Sequence, residues 1–218
     1  RSPLFNKFTP LEDETLKERV SRLMARAGFT AKGFFVMDGS RRSAHSNAFF
    51  TGFGASKRVV FFDTLLQQLS PDEMDAVLAH ELGHFKHRHI LKMMATSFVM
   101  TLLGLALLGW LSQQPWFYTG LGVMPNMASA NDALALLLFT MVVPLFTFFF
   151  SQVSAGRSRR FEFEADAYAV ANSDGKHLDG ALLKLYQDNA STLTPDPLYV
   201  AFYHSHPPAS QRLAKLAS

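Results

Sequence analysis

Two stretches of the chain, Met93 to Leu111 and Ala133 to Val153, carry no charge and are mostly apolar, and each is long enough as a helix to cross the hydrocarbon core of a bilayer. Elsewhere the apolar positions follow helical or strand periods. Met74, Val77, Leu78, Leu82, Phe85 and Ile90 recur at helical spacing, which predicts a helix from Pro71 to Leu91 with one buried stripe. Ser70, Pro71 and Glu73 supply its N-cap hydroxyl, first-turn proline and capping-box glutamate. Thr9-Pro10-Leu11-Glu12 reads as another capping box, ahead of a helix marked by Leu16, Val20, Leu23 and Ala27 and closed by Gly28. Gly33 to Asp38 reads as a strand, and Ala48 to Phe53 with Lys57 to Phe62 as a hairpin turning at Gly54, Ala55 and Ser56. Phe161 to Ala171 and Leu178 to Asn189 read as helices separated by Asn172-Ser-Asp-Gly175. A proline-rich loop around Pro195 and Pro197 then leads to Ser205-His206, and a short helix starts at Arg212 and runs toward Leu216.

Charge gives the apolar segments a direction. Lys86, Arg88 and Lys92 precede the first, Arg157, Arg159 and Arg160 follow the second, and Ser112 to Asn131 between them is uncharged. By the positive-inside rule both outer flanks are cytoplasmic and the segments form a transmembrane hairpin. Two buried helices of a soluble core are the competing reading, but 21 phenylalanines in 218 residues weigh against it. With 48% hydrophobic and 18% charged residues, the composition fits one compact catalytic unit anchored in a bilayer. Its expected parts are residues 1–92, the hairpin 93–153 and residues 154–218. The net charge of +3 clusters at the spans, which fits anionic lipid and gives no reason to expect nucleic acid. The absence of cysteine excludes disulfides and a cysteine nucleophile. No repeat or secretory signal is visible.

The chemistry is concentrated in His80-Glu81-Leu82-Gly83-His84. On a helix this spacing sets two imidazoles on one face beside a carboxylate, the zincin pattern of two zinc ligands, His80 and His84, and a general base, Glu81. A third ligand must be histidine or carboxylate. Glu162 and Asp166 share a helical face, with Glu164 pointing elsewhere. Spacing leaves two readings open there: Glu162 on zinc with Asp166 orienting a ligand histidine, or a solvated acidic face countering Arg157, Arg159 and Arg160. Depth separates them. His84 lies nine residues before Met93 and Glu162 nine after Val153, so as straight helices both stand about 14 Å above the hydrocarbon boundary. That match favours Glu162 as third ligand.

With these residues on the page, the chain resembles the type I CAAX prenyl endopeptidases, a family of membrane zinc metalloproteases. Pro3-Leu-Phe-Asn-Lys-Phe8, Ser46-Asn-Ala-Phe49, Gly52-Phe-Gly54, Phe62-Asp-Thr-Leu65, Glu162-x-x-x-Asp166 and Ser205-His-Pro-Pro208 fall in the family's order. The Ser-His-Pro-Pro and Glu-x-x-x-Asp pieces also occur in HtpX-type proteases. The family carries further spans upstream, and Arg1 in place of methionine suggests an excised catalytic region. The resemblance implies His80, His84 and Glu162 as zinc ligands, Glu81 as base, and substrate or transition-state roles for Asn47, His206 and Arg212. Without it, Asn47 reads equally as a turn residue, and His206 and Arg212 read as a proline-turn cap and a surface arginine. His87 and His89 read as solvated juxtamembrane residues, and His45, His177 and His204 as surface residues.

These readings predict an α+β, mainly helical fold with a zincin-type core, a small β-hairpin or sheet and a transmembrane helical hairpin. One zinc ion activates water, Glu81 moves the proton, and His206 and Arg212 steady the oxyanion while a peptide adds to the hairpin edge. The expected substrate is a prenylated CAAX-type protein. The alternatives are an HtpX-like quality-control protease and a non-catalytic zinc-stabilised membrane scaffold.

Overall fold

A computed structural model describes residues 7–41, 48–52, 56–126, 128–173, 175–188 and 195–216. Strand β1 (Phe8–Pro10) pairs with β2 (Thr30–Met37), Phe8 opposite Met37, so Thr9 and Pro10 belong to the sheet and not to a helix cap. The cap of α1 (Glu14–Ala27) is Asp13, whose carboxylate accepts from the Leu16 amide at 3.0 Å. Gly28 closes the helix at φ 84°, a left-handed conformation suited to glycine. Strands β3 (Ala48–Thr51) and β4 (Ser56–Phe62) pair antiparallel, Ala48 opposite Phe61, as the two aromatic and β-branched runs predict. Residues 53–55 of the expected turn lie outside the described residues. Strand order is β1-β2-β4-β3 with β2 and β4 parallel, which leaves β3 as an outer edge.

After α2 (Asp63–Gln68), helix α3 (Pro71–Lys86) starts with the predicted capping box: the Glu73 amide donates to Ser70 Oγ and the Ser70 amide to Glu73 Oε2. Its end differs from the prediction. The His87 and Arg88 amides fold back onto Gly83 and Phe85 carbonyls, Arg88 takes φ 55°, and a separate helix α4 (His89–Leu111) begins. The straight-helix premise behind the depth argument therefore fails on this side of the site. On the other side it underestimated the helix. The second apolar segment and the predicted helix at 161–171 are one helix, α6 (Asp132–Asn172), because nothing between Ser154 and Arg160 interrupts the backbone ladder.

Between α4 and α6, α5 (Pro115–Gly120) packs Phe117 and Tyr118 against Ala135, and the Tyr118 hydroxyl donates to the Ser112 carbonyl at 2.7 Å. At the other end of the pair, Arg157 Nη1 donates to Thr96 Oγ1 at 2.7 Å. Almost nothing in the apolar windows of the two helices is buried, and Phe98, Leu105, Phe149 and Val153 are all outward, so they are not core helices. Both are long and apolar enough to cross a membrane.

The remaining helices are α7 (Gly175–Asp188), α8 (Pro197–Tyr203) and α9 (Ala209–Leu216). Helix α8 replaces the expected loop: Asp196 accepts from the Leu198 and Tyr199 amides, and Pro197 occupies the first turn where its missing N–H costs nothing. The fold is thus mainly helical with a small mixed sheet, as the sequence predicts. Helix α3 lies at its centre, with Met74, Leu78 and Leu82 buried in a core shared with α1, the sheet and α7.

Candidate active site

His80 and His84 point from one face of α3 toward α6, and Gly83 between them allows the two helices to touch. A Cβ at position 83 would lie 3.0 Å from Ala165 Cα and 3.1 Å from Tyr168 Cβ. This approach carries Glu162 to the histidines. Its Oε2 lies 3.5 Å from His80 Nε2, its Oε1 3.6 Å from His84 Nε2, and the two Nε2 atoms are 3.2 Å apart. The two imidazole planes meet at 77°, and both Nε2 atoms face the Glu162 carboxylate.

Behind this cluster Asp166, one turn beyond Glu162, is buried and accepts from His80 Nδ1 at 2.8 Å. Arg212 of α9 grips Asp166 with two bonds, Nε to Oδ2 at 2.9 Å and Nη2 to Oδ1 at 2.5 Å, while Nη1 lies 3.6 Å from Glu162 Oε2. His206 Nδ1 lies 2.9 Å from Glu162 Oε1. Burial opposes the charged form of His80, but its bonds to Asp166 and Glu162 outweigh that and lift its pKa to about 9. His84 moves the other way, to about 4, through burial and the neighbouring His80 charge. The bond to Glu162 raises His206, and burial raises Glu81.

The donor set fits a zinc ion. With Asp166 taking the His80 Nδ1 proton, the His80 Nε2 lone pair, the His84 ring and a carboxylate face one point, and ligand atoms of all three residues lie within 4.8 Å of one another.

The cluster opens into a cavity of about 1250 Å³ whose lining includes Glu81, His206, Arg212, Phe49 and Phe50. Of the residues singled out from sequence, His80, Glu81, His84, Glu162, Asp166, His206 and Arg212 come together here, and Asn47 lies outside the described residues. Other positions differ from expectation. His89 is 1% exposed and not solvated; its Nδ1 lies 3.0 Å from His84 Nδ1 and its Nε2 3.1 Å from Glu164 Oε2. His204 is half-buried and lines the cavity. Tyr186 was also missed: its hydroxyl donates to the Pro207 carbonyl at 2.9 Å and pins the turn that carries His206. The five-residue step from His84 to His89 signals nothing on a continuous helix, and only the bend at Arg88 makes the two rings meet.

Fold and cluster together define a helical protein of the zincin type, in which an HExxH helix faces a carboxylate from a second long helix. A sequence model of Peptidase family M48 matches residues 10–218, and the chain belongs to that family. It is similar to CAAX prenyl protease 1 of Saccharomyces cerevisiae, 39% identical over 98% of this chain and 50% of that protein, and to the Homo sapiens homolog, 32% identical over 99% and 53%. The crystal structure of S. mikatae Ste24p superposes with a TM-score of 0.88 at 38% identity, covering 99% of this chain and 53% of that one. The chain spans about half the length of the curated relatives it matches.

Proposed function

We propose that this chain is the catalytic part of a membrane-embedded zinc endopeptidase that hydrolyses a peptide bond near the C-terminus of prenylated, CAAX-type substrates. The observation that carries the reading is the convergence of His80, His84 and Glu162 within 4.8 Å beside Glu81, at the wall of an open cavity. Among the described residues that metal group has three members, which leaves a position for solvent, as catalytic zinc sites do and structural ones do not.

A bound zinc ion supplies Lewis-acid polarisation of the scissile carbonyl and lowers the pKa of water toward about 7. Glu81 takes the proton from the attacking water and passes it to the leaving amine; burial raises its pKa, which makes it a stronger base for the first transfer than an exposed carboxylate. Asp166, held by two bonds from Arg212, keeps the His80 ring turned toward the ligand cluster. His206 and the Nη1 group of Arg212 border the cavity and donate to the developing oxyanion. Strand β3, the outer edge that brings Phe49 and Phe50 to the cavity wall, receives the peptide backbone as an added strand, with Asn47 just before it as a further backbone partner. Phe49, Phe50, Leu178 and Leu182 give the cavity an apolar wall suited to an aliphatic or prenyl group.

In this reading α4 and the first half of α6 cross the bilayer, and the basic residues at their common end put the catalytic site on the cytoplasmic side. The test compares cleavage of a farnesylated CAAX peptide, its unprenylated twin and an unfolded protein, with Glu81→Gln as the blank. Preference for the farnesylated peptide supports the assignment. Equal turnover of all three points to broad quality control instead, and no turnover of any removes the peptidase reading.

A further inference from the structure

His89, the first residue of α4, is buried against Phe161 with ring centroids 4.2 Å apart and planes 7° from parallel. A buried imidazole with both nitrogens engaged is a constrained object. One side faces Glu164 Oε2 at 3.1 Å and the other His84 Nδ1 at 3.0 Å. A carboxylate accepts and does not donate, so the His89 proton sits on Nε2 and its Nδ1 is a bare acceptor. The proton between the two histidines then belongs to His84 Nδ1. It follows that His84 Nε2, the atom facing His80 and Glu162, carries a lone pair and no proton. Arg160 Nε donates to the other Glu164 oxygen at 3.1 Å and fixes the far end of the chain of contacts.

His87, His89 and Glu164 also lie close enough together to suggest a second metal position. Ring geometry argues otherwise. The His87 and His89 planes are stacked, 13° from parallel at 5.5 Å, so their in-plane lone pairs run side by side, whereas the His80 and His84 Nε2 atoms both face the Glu162 carboxylate, at 3.5 and 3.6 Å. His89 already uses both nitrogens, and His87 is exposed.

We propose that Glu164 and His89 are a positioning pair that fixes the ring and tautomer of His84 so that Nε2 is always presented as a ligand, the counterpart of Asp166 behind His80. The proposal rests on His80, His84 and Glu162 being the metal ligands. Hydrogen-bond partners behind a ligating histidine typically contribute 10–100-fold in metal affinity.

Two substitutions at one position separate the acceptor from the packing. His89→Phe keeps a ring against Phe161 and removes the acceptor, whereas His89→Asn places an amide oxygen near the former Nδ1 and gives up the ring. The readouts are zinc affinity by chelator competition and the His84 tautomer in ¹⁵N spectra of the metal-free protein, with thermal melts to verify folding. The expected result is an affinity about 10–100-fold lower for His89→Phe with loss of the single Nδ1–H tautomer, and recovery of most of both in His89→Asn. Unchanged zinc affinity in His89→Phe overturns the proposal, as does a folded His89→Asn that binds as weakly as His89→Phe. Zinc binding that survives Glu162→Ala shows instead that the ligand assignment itself is at fault.

Discussion

Gly83 and Ala165 are in backbone contact across α3 and α6: a methyl group on residue 83 would stand 3.0 Å from Ala165 Cα and 3.2 Å from its carbonyl oxygen. Backbone atoms at that distance cannot rotate away as a flexible side chain can. The helices must separate, and the separation falls on the gap between Glu162 and the two histidines. Gly83→Ala is therefore expected to cost about 1–3 kcal/mol of stability through overpacking and to weaken zinc binding more than its small volume suggests. Denaturant melts and a zinc titration check both.

Glu81 and Glu162 are both carboxylates at the cluster, yet their substitutions should differ in kind. Glu81→Gln is expected to keep zinc and lose turnover by about 10²–10⁴-fold, the usual worth of a general base. Glu162→Ala should lose most bound zinc. Metal analysis beside a cleavage assay distinguishes them; turnover surviving in Glu81→Gln removes it as the base, and unchanged zinc in Glu162→Ala removes it as a ligand.

The His80 proton gives opposite pH trends with and without metal. In the metal-free protein the pKa of His80 is about 9, against 6.5 for an unperturbed histidine, so the stability from this charge is complete below pH 6.5 and disappears as pH rises through 9. Zinc must displace that proton. Its affinity should rise about tenfold per pH unit toward 9 and then flatten. Melts of the metal-free protein and zinc competition from pH 6 to 10 should run in contrary directions; parallel trends would mean that His80 is not the group displaced.

Asp166 receives three bonds, one from His80 and two from Arg212. Asp166→Asn removes the charge that all of them share and leaves the buried Arg212 guanidinium without its bidentate partner, so zinc affinity should fall about 10–100-fold. Arg212→Lys cannot restore the fork geometry. A lysine variant that binds zinc like the parent would show that the two-bond grip on Asp166 is dispensable.

At the start of α3, Ser70→Ala removes the hydroxyl that accepts from the Glu73 amide at 3.3 Å, at an expected cost of about 1 kcal/mol. The Glu73 carboxylate also binds Lys184 Nζ at 2.7 Å, tying the helix start to α7. The loss should appear in the melting midpoint with zinc affinity unchanged.

Local signals in the chain determined a good deal. The capping box at Ser70, the four-residue step from His80 to His84, the aromatic and β-branched runs at 48–53 and 57–62 and the two uncharged segments each specify an element through neighbours only a few residues away, and all of these formed. The four-residue step from Glu162 to Asp166 likewise marked one helical face. Tertiary structure decided what depends on distant partners: that α3 stops at Lys86, that Thr9 and Pro10 enter a sheet, and that α6 runs unbroken from Asp132 to Asn172. It also decided that His89 lies behind His84, because Arg88 turns the chain at φ 55° and Phe161 and Glu164 arrive from a helix more than seventy residues away. Helical periodicity records which residues share a face. It does not record the turn between two helices, or the glycine contact that sets how closely their faces meet.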